Sequence, residues 1–329
     1  MKFQTEVELP RGYEGLIDHT TPVATLGSCF ADEVGGRLAA ELFDVAVNPF
    51  GPLFNPASIE HTLEIAADSG YDPVCAMTER DGRVVSLDFH SRLSAATAEE
   101  LAARIVAEMA QFRTFLEKTE VVTLTLGTSR VFIHRRLGRV VANCQKLPAR
   151  EFDEAQLGVA EVAASLGRCL EILRGFNPDV KVVVTVSPVR HGGHSLHADR
   201  LSKARLLLGA DSFAADNPGA AIYFPAYEIV NDQLRDYRYY AADMMHPSPV
   251  AVDFIYEQFG NAFFSDVTRR LAADCRKFTT RLAHRPLAAS GADRHDGDTA
   301  AAVAATFTTI HPEVSAAVDR YIAKLQKQK

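Results

Sequence analysis

The sequence has little of what marks a chain that binds nucleic acid, crosses a membrane or is held by disulfides. No long run of Lys or Arg interrupts it, and 35 basic residues face 42 acidic ones for a formal net charge of −7. Phosphate neutralisation needs a concentrated basic face, so nucleic acid is excluded as an expected partner. The longest apolar runs reach about half of the roughly 20 residues that a membrane-spanning helix requires. Met1 to Thr21 scatters charges where a secretory signal would be apolar. We therefore expect a cytoplasmic chain without a membrane partner. The five cysteines, Cys29, Cys75, Cys144, Cys169 and Cys275, are odd in number and form no C-x-x-C pair, which argues for reduced thiols and against a disulfide framework or a zinc ribbon. What is abundant is apolar. With 47% of its 329 residues in the hydrophobic set, the chain can bury a full core, which excludes intrinsic disorder as its main state.

Short runs rich in Val, Ile, Leu and Thr alternate with longer stretches of helical period, the pattern of a parallel sheet with crossover helices. Strands are predicted at 23–26, 44–47, 121–126, 180–186 and 221–224, of which 121–126 and 180–186 are apolar or β-branched enough to be central and covered on both faces. Helices are predicted at 31–43, 57–67, 97–118, 153–173 and 249–264. Two excursions carry hairpin signals, Cys75 to Phe89 turning at Asp81-Gly82 and Val131 to Val141 turning at Leu137-Gly138. Residues 285–298 mix Pro, Gly and charge and read as a linker, so we expect a catalytic α/β unit over 1–265 and a helical C-terminal extension over 266–329.

Two short segments carry chemistry. Gly27-Ser28-Cys29-Phe30-Ala31 falls where the first strand meets its helix, at the carboxyl edge of the sheet where α/β sites lie. A thiol there feels the positive end of the helix dipole, which leads us to expect a lowered thiol pKa at Cys29. The bland alternative is an N-capping Ser28 and a small packed Cys29. About 215 residues later, Asp243-Met244-Met245-His246-Pro247-Ser248 precedes the last main-domain helix. A carboxylate three positions before an imidazole can hold one ring nitrogen and aim the other at a nucleophile.

The order G-S-C-F-A, V-N-P-F-G-P-L-F-N-P, L-G-T-S and D-M-M-H-P-S resembles the GSCFA family of bacterial proteins, which is similar to the SGNH (GDSL-like) hydrolases. The resemblance implies a flavodoxin-like, three-layer α/β/α fold with a mostly parallel five-stranded sheet, hairpin excursions and a helical tail. It also implies acyl-ester chemistry without a cofactor or metal, on a small-molecule or carbohydrate acyl ester. Asp243 and His246 match the family's last element, and Gly51, after Asn48, matches the oxyanion glycine. An ungapped alignment of Gly27 places Cys29 at the nucleophile position, while a one-residue slip, which turns the following helix by about 100°, places Ser28 there. The oxyanion Asn of the SGNH pattern falls at Ser129, beside Thr128, and Asn143 in A-N-C-Q-K is a second candidate donor.

Arg190 and His191, in S-P-V-R-H after the fourth strand, are placed at the same edge, where an Arg can clamp a carboxylate or phosphate. His194 and His197 lie close by, but no carboxylate or Cys completes a metal-ligand spacing and the Gly192-Gly193 pair is flexible. The sequence thus points to an ester hydrolase or O-acyltransferase. The competing reading is a non-catalytic carbohydrate- or protein-binding module on the same scaffold.

Overall fold

The computed structural model describes residues 5–193, 195–283 and 300–327. Five parallel strands form the central sheet: β1 (Val23–Gly27), β2 (Val45–Val47), β3 (Val121–Leu126), β4 (Lys181–Val186) and β5 (Ala221–Tyr223). Their spatial order is β2-β1-β3-β4-β5, the doubly wound flavodoxin-like order in which the chain reverses direction between β1 and β3. Register runs Val23 to Val121 and Gly27 to Thr125 between β1 and β3, so both strands end at one level. β1 and β3 are buried at every position, as their continuous apolar composition requires.

Helices cover both faces. α1 (Cys29–Ala40) follows β1 and α2 (Pro56–Ala67) follows β2. α3 (Ala98–Lys118), α4 (Val159–Phe176) and α5 (Leu196–Asp216) precede β3, β4 and β5. α6 (Pro249–Phe263) closes the unit. Strand alternation divides the core. Ala24 and Leu26 pack with Ile59, Leu63, Ile105, Leu166 and Leu206 from α2 to α5, whereas Val23 packs with Phe30, Leu38, Ile255 and Phe259 from α1 and α6. This is the three-layer α/β/α architecture expected from the sequence.

Both excursions are three-stranded antiparallel sheets rather than simple hairpins. Met77–Arg80 and Arg83–Ser86 gain Ser94–Ala95, and Arg130–His134 pairs with both Arg139–Val141 and Phe152–Gln156. The last pairing corrects the helix expected from residue 153. Residues 152–156 complete a sheet, and α4 starts only where the Glu161 side chain accepts from the Gly158 N–H at 2.7 Å. Helix α5, not assigned from the sequence, carries polar residues on its buried face, which breaks its amphipathic signature.

The predicted linker at 285–298 lies outside the described residues. Beyond α6, α7 (Asp266–Ala283) packs directly on the main unit, burying Ala272 in the α1–α6 core while the Thr279 hydroxyl donates to the Ala40 carbonyl at 2.7 Å. α8 (Ala300–Ile310) and α9 (Ser315–Lys327) join it around Cys275, Phe278, Val303 and Val318, with Leu42 as their contact on the main unit. No described helix is long and apolar enough to cross a membrane.

The junction of β1 with α1 admits only glycine. Gly27 has φ +137°, and a Cβ there would overlap the Thr125 carbonyl of β3. Backbone atoms of a central strand cannot yield as a flexible side chain can. We predict that Gly27→Ala loses roughly 3 kcal/mol or more of stability, or fails to fold, in urea titrations followed by circular dichroism.

Candidate active site

The turn after Gly27 is fixed from three directions. The Ser28 N–H donates to the Thr125 carbonyl at 3.0 Å and the Leu53 N–H donates to the Gly27 carbonyl at 2.7 Å. The Asn48 side chain accepts from the Gly27 N–H at 2.9 Å and donates through Nδ2 to Asp32 Oδ1 at 2.7 Å. Ser28 is extended and only 2% exposed, and its hydroxyl accepts from the Phe30 N–H at 3.3 Å, so it is the N-cap of α1. α1 therefore begins at Cys29, two residues earlier than its apolar periodicity indicates. Cys29 is half-buried.

The D-x-x-H segment reaches the same place from the other end of the chain. His246 Nδ1 lies 2.6 Å from Asp243 Oδ2, and Asp243 Oδ1 accepts from the backbone N–H groups of Met245 and His246 at 2.9 and 3.0 Å. These bonds hold the Asp243 carboxyl at a pKa of about 2, the backbone bond to His246 being the largest cause, so Asp243 is an anion near neutrality. Arg190 supports the loop from behind. Its backbone N–H donates to the Met245 carbonyl at 3.0 Å, its guanidinium donates to the Met244 carbonyl at 3.2 Å, and the guanidinium sits 4.0 Å above the Tyr240 ring. Cys29 and His246 line one cleft of about 110 Å³, walled by Phe30, Val189, Pro247 and Val252.

The dipole-based expectation of a lowered Cys29 pKa does not hold. Burial of the thiol raises it, the Asp32 carboxylate raises it further, and only Lys203 opposes them substantially. A thiol in that state stays protonated near neutrality and needs a base to become a nucleophile.

The remaining predicted residues take several places. Asn48, 3% exposed, stands behind the turn as its brace. Gly51, at φ +79° with His90 where a Cβ would lie, donates its N–H to the Asn48 carbonyl at 2.8 Å and closes the turn Asn48-Pro49-Phe50-Gly51. Thr128 and Ser129 are buried against Ser202 of α5, whose hydroxyl accepts from the Ser129 N–H at 2.8 Å. Asn143 accepts from the Gln145 N–H at 2.7 Å in a turn that leaves Gln145 and Lys146 at positive φ. The His191 N–H donates to Asp199 at 3.1 Å. The structure thus gathers Cys29 and His246 around the cleft, while Ser28, Gly51, Thr128, Ser129 and Asn143 do not line it. His194 lies outside the described residues.

The GSCFA family model matches residues 22–259. The chain belongs to the GSCFA family. No curated protein sequence matches it. Among solved structures, it is similar to an acetyl esterase at 13% identity and a TM-score of 0.37, over 78% of this chain and 99% of that one. It is also similar to a carbohydrate esterase family 3 protein from Talaromyces cellulolyticus at 12% identity and a TM-score of 0.34, over 78% and 99% of the two chains. A third likeness is to an acetyl xylan esterase from the rumen bacterium Butyrivibrio proteoclasticus, at 10% identity and a TM-score of 0.36 over 74% and 63%.

The sequence reading of this GSCFA protein missed Lys203. It is 1% exposed, and its ammonium donates to the carbonyls of Gly127 at 2.6 Å and Ser187 at 2.8 Å, tying together the ends of β3 and β4. A signal was present. Asp199, Ser202, Lys203 and Leu206 share one helical face, so polar groups occupy positions that packing alone would make apolar. Burial lowers the Lys203 pKa from 10.5 to about 8. Between those values the unfolded chain binds more protons, so burial costs most below about pH 8 and stability contributed at this position rises toward pH 10. The neutral amine still has two N–H groups for its two carbonyls. We predict that wild type gains stability relative to Lys203→Met between about pH 7.5 and about pH 10 in denaturant titrations. At neutral pH, Asp32→Asn should speed iodoacetamide labelling of Cys29 about two- to fivefold and Lys203→Met should slow it, as charge removal shifts the thiolate fraction.

Proposed function

We propose that this protein is an ester hydrolase or O-acyltransferase in which Cys29 is the nucleophile, His246 the general base and Asp243 the group that orients it. The observation that carries this reading is the shared cleft: Cys29 and His246 line it together, with His246 Nδ1 held by Asp243 at 2.6 Å so that the other ring nitrogen is left to act. His246 takes the thiol proton as sulfur attacks the ester carbonyl. The alcohol leaves with that proton, and the acyl group stays on Cys29 as a thioester. Water or a second alcohol, deprotonated by the same imidazole, then attacks the thioester carbonyl, the C–S bond breaks, and the imidazolium returns a proton to the Cys29 sulfur. The developing oxyanion is held by the Cys29 backbone N–H. No cofactor is needed for these steps.

The cleft's volume of about 110 Å³ bears on the acyl group. Its lining is mostly apolar, Phe30, Val189, Pro247, Pro249 and Val252 with the Glu33 carboxylate beside them, which suits an acetyl or other short acyl chain. The esterase likenesses are consistent with such a substrate. Ser28 is the weaker nucleophile candidate because its hydroxyl is committed to the helix cap.

His246→Ala should lower turnover of para-nitrophenyl acetate by at least about a hundredfold without unfolding the chain, because the loop lies at the surface and general-base catalysis typically contributes that much. Cys29→Ala should abolish turnover, and Ser28→Ala should retain most activity with about 1 kcal/mol less stability from the lost cap. Fluorophosphonate and iodoacetamide labelling followed by mass spectrometry checks the nucleophile directly. A well-folded Ser28→Ala that is dead beside an active Cys29→Ala would transfer the role to the hydroxyl. Absence of turnover and labelling in wild type favours a binding module instead.

A further inference from the structure

A second cavity, of about 370 Å³, is lined by Arg190, Arg200, Asn231, Arg235, Tyr237 and neighbouring residues. Its volume is in the range of small-molecule sites. Two adjacent residues link the two cavities. Val189 faces the cleft of Cys29 and Arg190 the larger cavity, while the Arg190 guanidinium holds the carbonyl of Met244, between Asp243 and His246. Through Val189 and Arg190, the larger cavity is open to the rest of a molecule whose acyl ester enters the small cleft.

The lining selects for negative charge. Three guanidinium groups, Arg190, Arg200 and Arg235, face two carboxylates, Asp232 and Asp236. Asp236 is turned onto its own short helix, where it accepts from the Arg238 N–H at 2.9 Å with the Arg238 guanidinium 3.8 Å away. Arg190 is pinned by its stack on Tyr240 and Arg200 by a bond to Asn231 at 3.1 Å, which leaves further N–H groups of each fork for a ligand. Pre-set guanidinium forks suit the paired oxygens of phosphate or carboxylate better than flexible ammonium groups do. The floor, Ile229–Leu234, is a π-helix, a rare conformation found mostly where function retains it. Tyr237, 70% exposed, offers a ring face at the mouth.

We propose that this cavity is the subsite for an anionic group, a phosphate or a carboxylate, carried by the substrate beyond its ester. The proposal rests on the acyl-transfer reading for the word substrate, but anion binding itself is measurable without turnover. The experiment is calorimetric titration of glycerol phosphate and of glycerate, with glycerol as neutral control, into wild type, Arg200→Ala, Arg235→Ala and Arg235→Gln. Arg174→Ala, on the exposed face of α4, serves as the charge-matched control. We expect saturable binding of at least one anion and none of glycerol, an affinity loss of about tenfold or more in each Arg200 and Arg235 variant, and no change in Arg174→Ala. Whichever anion binds tighter distinguishes phosphate from carboxylate. Cys29→Ala should bind the anion as wild type does, which separates this subsite from the chemistry. The proposal is overturned if neither anion binds at about 10 mM, if glycerol binds equally, or if folded Arg235→Ala and Arg235→Gln bind as tightly as wild type.

Discussion

A central strand must end and a helix begin within the two residues Gly27 and Ser28, at a point where the neighbouring strand leaves no room for a side chain. Everything at the site depends on how that turn is held. Gly27 supplies the backbone conformation, Ser28 caps the helix, and Asn48 takes the Gly27 N–H that a longer strand would have paired. The Asn48 amide also grips Asp32 one turn into α1. A single buried side chain thereby couples β1, the loop after β2 and the first turn of the helix, and Cys29 inherits its position from the three together. Such positioning costs little conformational freedom at the moment of reaction, because the order is already present.

The chemistry of the thiol follows from its surroundings rather than from its place on a helix. Burial and Asp32 push its pKa up, and the buried ammonium of Lys203 pulls against them. A thiol kept protonated is also less open to oxidants than a permanent thiolate. Asp243, ionised throughout, keeps the imidazole oriented while contributing no titration of its own near neutrality.

Much of this was legible in the sequence, and the part that was not has a physical explanation. The strands of the main sheet read correctly because a strand covered on both faces has a composition that little else shares, as in Val121 to Leu126. Cys29 and His246, which line one cleft, stood out in the sequence because a turn at a sheet edge and a D-x-x-H loop have local signatures. Residues 152–156 misled because Phe-Asp-Glu-Ala-Gln is short and polar on one side, and its partner strand lies some twenty residues earlier. Helix α5 was missed because Asp199, Ser202 and Lys203 turn inward, Asp199 to accept from the His191 N–H, Ser202 from the Ser129 N–H, and Lys203 to donate to the carbonyls of Gly127 and Ser187 at the ends of β3 and β4. Such bonds depend on where strands stop in space, which no periodicity encodes. Gly51 and Ser129 sit at the right points of the chain, yet their donors are spent on local partners, a matter of hydrogen-bond accounting that sequence does not reveal.

The pairing of Cys29 with His246 across a doubly wound sheet also has a consequence for synthesis. The thiol is made at the first crossover, whereas the imidazole and helix α6, which complete its cleft, come more than two hundred residues later. At translation rates of roughly 5–20 residues per second, that interval is about 10–40 s. Parallel strands cannot pair until their crossovers are complete, so the nascent chain carries an uncovered cysteine through the whole of it. The cleft is therefore among the last parts of the molecule to assemble, and its completion follows the closing of the sheet.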